Sequence, residues 1–132
     1  MIPEMKASFQ VSSKNVTIAE ITKALDIQPT KVFSIGDLMD PKTTVRARVN
    51  LWIYSIDTSV QSFDILDYIT PLLDALEIKK SRINNLCQDT DVYCLIQCSI
   101  WMKEETPILM LPSHIMRKIS ELNADIDFDL YL

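Results

Sequence analysis

The stretch ADIDFDLYL, residues 124–132, alternates carboxylate and apolar side chains with a period of two. Successive side chains of a β-strand point to opposite faces of a sheet, so this alternation predicts a strand with one apolar and one polar face. Such a strand indicates a sheet that buries one face only. We expect the buried face to carry Ile126, Phe128, Leu130 and Leu132.

Three further segments predict strands of the same sheet. They are residues 5–13, residues 43–57 (TTVRARVNLWIYSID) and residues 92–102. In residues 43–57 the alternation predicts that Val45, Ala47, Val49, Leu51 and Ile53 face the core, whereas Arg46, Arg48, Asn50, Trp52 and Tyr54 face away,. In residues 92–102 the side chains that face away are Tyr93, Leu95, Gln97, Ser99 and Trp101.

Helical patterns separate these strands. Thr17 and Glu20 have the spacing of a capping box, which predicts that a helix begins there,. Residues 59–87 repeat apolar side chains at helical spacing around Pro71. Two alternatives stay open: either Pro71 kinks one helix, or Thr70 caps a second helix that has Pro71 in its first turn.

The remaining segments complete the predicted fold. A short strand precedes a turn at Gly36, where we expect a positive φ. A last helix opens at Pro112, and Asn123 is expected to end it in the left-handed conformation. We therefore predict one domain over residues 1–132 with an α+β fold, in which a mainly antiparallel β-sheet has two to three helices packed on one face.

Composition narrows the function classes. The chain has 132 residues, 48% of them hydrophobic, and a net charge of −5. The acidic balance disfavours nucleic acid as a partner, because phosphate binding needs clustered Lys and Arg. Apolar runs are shorter than the roughly 18 residues of a membrane helix, and no secretory signal opens the sequence. We expect a soluble, cytoplasmic protein without membrane contact.

Three cysteines, Cys87, Cys94 and Cys98, do not form a disulfide framework by their spacing,. On one strand Cys94 and Cys98 would lie about 13 Å apart, too far for a bridge. We expect buried thiols that pack as small apolar groups.

The row of aspartates raises the question of a metal site. Successive aspartates lie about 6.6 Å apart along a strand, and a straight strand does not converge three of them on one ion. We therefore expect no metal. If the strand of residues 43–57 paired with the last strand, Arg46 and Arg48 would instead meet these carboxylates across the sheet.

The same polar face is also expected to carry aromatic side chains. Rigid aromatic groups beside charged residues are typical of protein interfaces. The candidate partner-binding residues are Arg46, Arg48, Trp52, Tyr54, Trp101, Asp125, Asp127, Asp129 and Tyr131. The alternative is that loops or a partner subunit cover these aromatics.

Enzymatic activity is not expected. His114 is the only histidine, and neither a nucleophile elbow, a phosphate-binding loop nor a dinucleotide fingerprint occurs,. A Cys–His pair formed only in the folded chain is the remaining catalytic alternative. We expect no catalytic residues and no cofactor.

Three motifs resemble a bacterial family, domain of unknown function family 4279. The segment ITKALDIQPTKVFSIGD, residues 21–37, is similar to the family's helix exit and Gly-Asp turn. Leu51 and Trp52 match its Leu-Trp strand, and residues 128–131 match its closing Phe-Asp-hydrophobic-Tyr strand. The chain departs from the family pattern at Ile35, where a basic residue is usual, and at Asn123, where a glycine is usual.

The resemblance brings no established activity. Small acidic domains of this kind resemble immunity proteins, which neutralise a co-encoded bacterial toxin by direct binding. The resemblance therefore implies a non-catalytic binding module whose protein partner is a basic toxin domain. The alternative is a self-associating regulatory domain, such as a homodimer, or a small-ligand-binding domain with a pocket near Gly36 and Asp37.

Overall fold

The computed structural model describes residues 1–57 and 59–132. No helix in this part of the chain is long and apolar enough to cross a membrane. The described residues form five strands and four helices: β1 (Glu4–Ser13), α1 (Ile18–Leu25), β2 (Lys31–Phe33), β3 (Asn50–Ser55), α2 (Leu66–Glu77), α3 (Lys80–Leu86), β4 (Tyr93–Trp101), α4 (Ser113–Glu121) and β5 (Ala124–Tyr131).

The strands form one sheet in the order β2-β3-β1-β4-β5. The central strand β1 pairs antiparallel with β3 and β4, and β2 pairs antiparallel with β3. β5 pairs parallel with β4, because α4 carries the chain back between them,. The predicted α+β fold with a mainly antiparallel sheet is confirmed. The described helices number four rather than two or three, since residues 59–87 contain two of them.

The helices cover one face of the sheet and form a single apolar core with it. α1 packs on β3, α2 on β1 and α4 on β5, and α1 also contacts α3. Phe9 and Val11 of β1 and Ile96 and Ile100 of β4 are fully buried under these helices. The opposite face, which we call the open face, carries mostly half-buried and exposed side chains.

The two faces of β3 are the reverse of the prediction. The strand begins only at Asn50, and its register aligns Trp52 with Val11, a core residue of β1. Trp52 is therefore on the helix face, where it is fully buried, and Tyr54 packs against the core on the same side. The alternation at residues 45–49 belongs to the connection before the strand. Leu51 and Ile53 lie on the open face, where they are half-buried.

The structure of residues 59–87 distinguishes the two alternatives for Pro71. The proline lies inside α2, so one helix continues through it and Thr70 does not start another. The helical segment breaks later, at Ile78 and Lys79, before α3 begins.

The local backbone predictions for Thr17, Gly36 and Asn123 are confirmed. The Thr17 side chain caps α1 by accepting a hydrogen bond of 3.2 Å from the Glu20 N–H,. Gly36 has a φ of 93° and Asn123 a φ of 55°. Pro112 was predicted in the first turn of the last helix, but its ψ of 154° is not helical, and it is the N-cap residue immediately before α4.

Candidate protein-binding surface

Acidic and aromatic side chains lie together on the open face, at the edge of the sheet formed by β4 and β5. The parallel register places the three aspartates of β5 beside Leu95, Gln97 and Ser99 of β4. It also places Tyr131 beside Trp101. We define the acidic–aromatic surface as Tyr93, Trp101, Asp125, Asp127, Asp129 and Tyr131, all of which are exposed.

The carboxylates of this surface have no cationic partner in the described part of the chain. Its three salt bridges join other groups: the N-terminus with Glu104, Lys79 with Asp26, and Lys80 with Glu121. No described residue therefore forms a salt bridge with the carboxylates of the surface, and their negative charges are available to an approaching cation,.

Tyr93 forms a hydrogen bond with the row of aspartates on β5. The Tyr93 hydroxyl donates a hydrogen bond of 2.9 Å to Asp125 Oδ2. This hydrogen bond raises the pKa of Tyr93, because loss of the proton would break it and add a second negative charge beside the carboxylate,. Tyr93 therefore remains a hydrogen-bond donor that orients Asp125 at the edge of the sheet.

The aromatic end of the surface is a stacked pair. The rings of Trp101 and Tyr131 have centroids 5.4 Å apart and an interplanar angle of 16°. Trp101 is 38% exposed and Tyr131 is 46% exposed, so loops of the same chain leave both rings accessible. The stack presents a rigid apolar platform next to Asp129.

Four of the nine predicted site residues lie elsewhere. Trp52 and Tyr54 belong to the helix face, as the β3 register requires. Arg46 and Arg48 are exposed in the connection between β2 and β3, where Arg46 Nη1 donates a hydrogen bond of 2.8 Å to the Gly36 carbonyl. The pairing that would bring these arginines to the aspartates does not occur, because β1 and β4 lie between β3 and β5.

The end of β5 departs from its predicted burial. Ile126 and Phe128 pack against the core, but Leu130 is 54% exposed and Leu132 is fully exposed. The reason is length: the nine residues of α4 span about 13 Å, whereas the eight residues of β5 span about 26 Å,. Both lengths can be estimated from the sequence, so this mismatch could have identified the uncovered apolar end of β5.

Among the residues that the structure describes, two open cavities border the sheet. One, of about 1150 Å³, lies where β1 begins and β3 ends, and its lining includes Lys6, Asp57, Trp101 and Lys103. The other, of about 800 Å³, lies beside the acidic–aromatic surface between β5 and α4. Neither lining includes His114, a cysteine or the turn at Gly36 and Asp37.

The other residues that the sequence offers for catalysis or metal binding are His114 and the three cysteines. His114 is exposed in the first turn of α4. No group of three or more His, Cys, Asp or Glu side chains in the described residues is placed to hold a metal ion. Cys94 and Cys98 are buried, as expected, but the sulfur atoms of Cys87 and Cys94 are only 3.2 Å apart, a proximity that the sequence did not predict.

Comparison with known proteins identifies the family. No curated protein and no solved structure matches the chain. One family model does match, over residues 3–132, and its description is Domain of unknown function (DUF4279). The match agrees with the motifs at the helix exit, the Leu-Trp strand and the closing strand. Since it spans essentially the whole sequence, the chain belongs to the DUF4279 family.

Proposed function

We propose that the protein is a non-catalytic binding module that uses the acidic–aromatic surface to bind a basic protein. We further propose that this partner is a co-encoded bacterial toxin, which the protein neutralises as an immunity protein. One observation carries the proposal: three exposed aspartates without a salt bridge to any described residue lie beside the stacked, exposed rings of Trp101 and Tyr131.

The carboxylates supply the electrostatic part of recognition. A row of negative charges on one edge of a chain with net charge −5 attracts a basic surface at long range and accelerates its association,. Lys or Arg side chains of the partner would supply the cations that Asp125, Asp127 and Asp129 lack. A toxin that acts on nucleic acid fits this chemistry, because it needs clustered Lys and Arg to hold phosphates.

The aromatic pair supplies the apolar part. Trp and Tyr are the side chains that most often dominate binding energy at interfaces. Trp101 and Tyr131 are already stacked on each other, so binding orders little that is not ordered in the free protein,. A surface of this kind needs only to cover the toxin's active site, and it requires no catalytic group of its own.

Self-association through β5 is the second candidate. β5 is an edge strand, and its end exposes Leu130 and Leu132. An unpaired edge is a template for a strand from another chain. Two copies joined at this edge would, however, bring two rows of aspartates together, and like charges on adjacent strands destabilise a sheet. The charge pattern therefore favours a basic partner over a second copy.

Charge reversal tests the proposed surface. The full chain is used to capture its partner from the native host, the partner is purified, and affinity is measured by titration calorimetry. We expect a basic protein whose toxicity in a sensitive cell is suppressed by co-expression of the chain. Because a lysine would repel its cations, we expect Asp127→Lys to weaken binding about tenfold to a hundredfold. Trp101→Ala should weaken it by at least about tenfold.

The matched control is Asp74→Lys, which makes the same charge change at an exposed position of α2 in the helix layer. This variant should bind with nearly the affinity of the wild type. Equal losses of affinity in Asp74→Lys and Asp127→Lys would mean that net charge alone, and not the acidic–aromatic surface, determines the affinity. Unchanged affinity in both Asp127→Lys and Trp101→Ala would show that the partner binds elsewhere.

A further inference from the structure

Cys87 and Cys94 meet where α3 leads into β4. Cys87 is the C-cap residue of α3, and Cys94 is the second residue of β4, beyond a short turn. Their Sγ atoms lie 3.2 Å apart, so a thiol–thiol hydrogen bond joins them. A disulfide requires sulfur atoms about 2.05 Å apart, so closure needs an approach of about 1.2 Å,.

The two thiols differ in access and acidity. Cys87 is half-buried, whereas Cys94 is only 2% exposed. The hydrogen bond from Cys94 lowers the pKa of Cys87, because it stabilises the thiolate there,. The same hydrogen bond and burial raise the pKa of Cys94. Cys87 therefore has the properties of an attacking thiol, and Cys94 those of a resolving thiol behind it.

We propose that Cys87 and Cys94 form a reversible oxidation site, at which a small-molecule disulfide converts the two thiols into an intramolecular disulfide. In the first step the Cys87 thiolate attacks one sulfur of the small disulfide, which forms a mixed disulfide and releases one thiolate. In the second step Cys94 loses its proton to solvent, and its sulfur attacks Cys87 Sγ and expels the second thiolate. Both cysteines are oxidised, and one disulfide is reduced to two thiols.

The third cysteine is a natural control within the same strand. Cys98 is fully buried on the helix face of β4, and Cys94 lies on that face about 13 Å away along the strand,. Full burial keeps the Cys98 thiol from a small disulfide in solution, and its distance from Cys94 is too long for a bridge,. The reaction should therefore select one pair among the three cysteines.

Closure would tie the end of α3 to the start of β4. The bridge closes a short loop, and it stabilises the folded chain chiefly by restricting the unfolded one. For a loop of this size we expect the oxidised protein to melt about 5–10 °C above the reduced protein. The strand affected carries Tyr93, a member of the acidic–aromatic surface, on its opposite face.

The test is to incubate the folded, reduced full chain with oxidised glutathione. Thiols are then blocked with iodoacetamide, and the protein is analysed by intact mass and peptide mapping. We expect a Cys87–Cys94 disulfide that excess reduced glutathione reverses, with Cys98 recovered as the only blocked thiol after denaturation. In Cys94→Ser, a stable glutathione adduct should accumulate on Cys87. In Cys87→Ser, the reaction of Cys94 should slow by about tenfold or more.

Cys98→Ser should form the same bridge as the wild type. Three results would overturn the proposal: a chain that keeps all three thiols in excess oxidised glutathione, a bridge that includes Cys98, or a bridge that forms only after denaturation. An adduct that accumulates on Cys87 in the wild type without resolution would also overturn it, since Cys94 would then not act as the resolving thiol.

Discussion

We expect Trp52→Ala to lower the free energy of unfolding by about 3–5 kcal/mol. Trp52 is fully buried between two aromatic neighbours, with the Phe9 ring edge-on at 6.2 Å and the Tyr54 ring stacked at 6.3 Å. Its Nε1–H donates a hydrogen bond of 3.1 Å to Thr22 Oγ1, which joins β3 to α1. The substitution removes the side chain and leaves a cavity at the point where the helix layer meets the sheet.

Chemical denaturation in urea, followed by circular dichroism, measures this loss. The matched control is Trp101→Ala, the same change at the exposed tryptophan, which should cost less than about 1 kcal/mol. Trp52→Phe keeps a ring and removes the hydrogen bond, so its cost should lie between the two. Equal costs at positions 52 and 101 would mean that Trp52 does not lie in the core.

The placement of Trp52 shows where sequence periodicity loses information. Leu51 and Ile53 are apolar on the open face, and Trp52 is apolar on the helix face, so alternation alone leaves the phase of β3 undecided. The apolar residues Val45, Ala47 and Val49 indicate the wrong phase for β3, because they precede the strand. The pairing of Trp52 with Val11 resolves it, but that contact joins segments far apart in the chain, and local patterns do not contain it.

Features set by local chemistry were predictable. The side chain of Thr17 and the left-handed backbone of Asn123 each depend on a few neighbouring residues, and both agree with the structure. The outward side of β5 follows from its strict alternation, so Asp125, Asp127 and Asp129 were placed correctly on the open face.

Features set by strand order were not predictable from one sequence. Arg46 and Arg48 would meet the aspartates only if their strand paired with the last one, and two strands separate β3 from β5. The proximity of Cys87 and Cys94 was not predictable for a different reason: it depends on how the turn after α3 enters β4. The sequence therefore placed the side chains of the candidate surface correctly on β4 and β5, and it placed Trp52 and Tyr54 of β3, the strand whose phase was open, on the wrong face.

The second large effect is expected at Asn50, the first residue of β3. Its side chain is 8% exposed and makes two hydrogen bonds to backbone groups of other segments. Oδ1 accepts from the Ile35 N–H at 3.0 Å, and Nδ2 donates to the Val16 carbonyl at 2.9 Å. The amide therefore fastens the turn after β2 and the start of α1 to the same point of the sheet.

We expect Asn50→Leu to lower the free energy of unfolding by about 2–3 kcal/mol. Leucine has a similar size, so the cost arises from two backbone groups that lose their partners rather than from a cavity. Asn85→Leu, the same change at an exposed position of α3, should stay within about 0.5 kcal/mol of the wild type,. Hydrogen exchange adds a local measurement, because the Ile35 amide should exchange faster in Asn50→Leu. If Ile35 exchange and the unfolding free energy were both unchanged, the Asn50 side chain would not be the group that holds the two segments together, and packing of α1 on β3 would have to hold them alone.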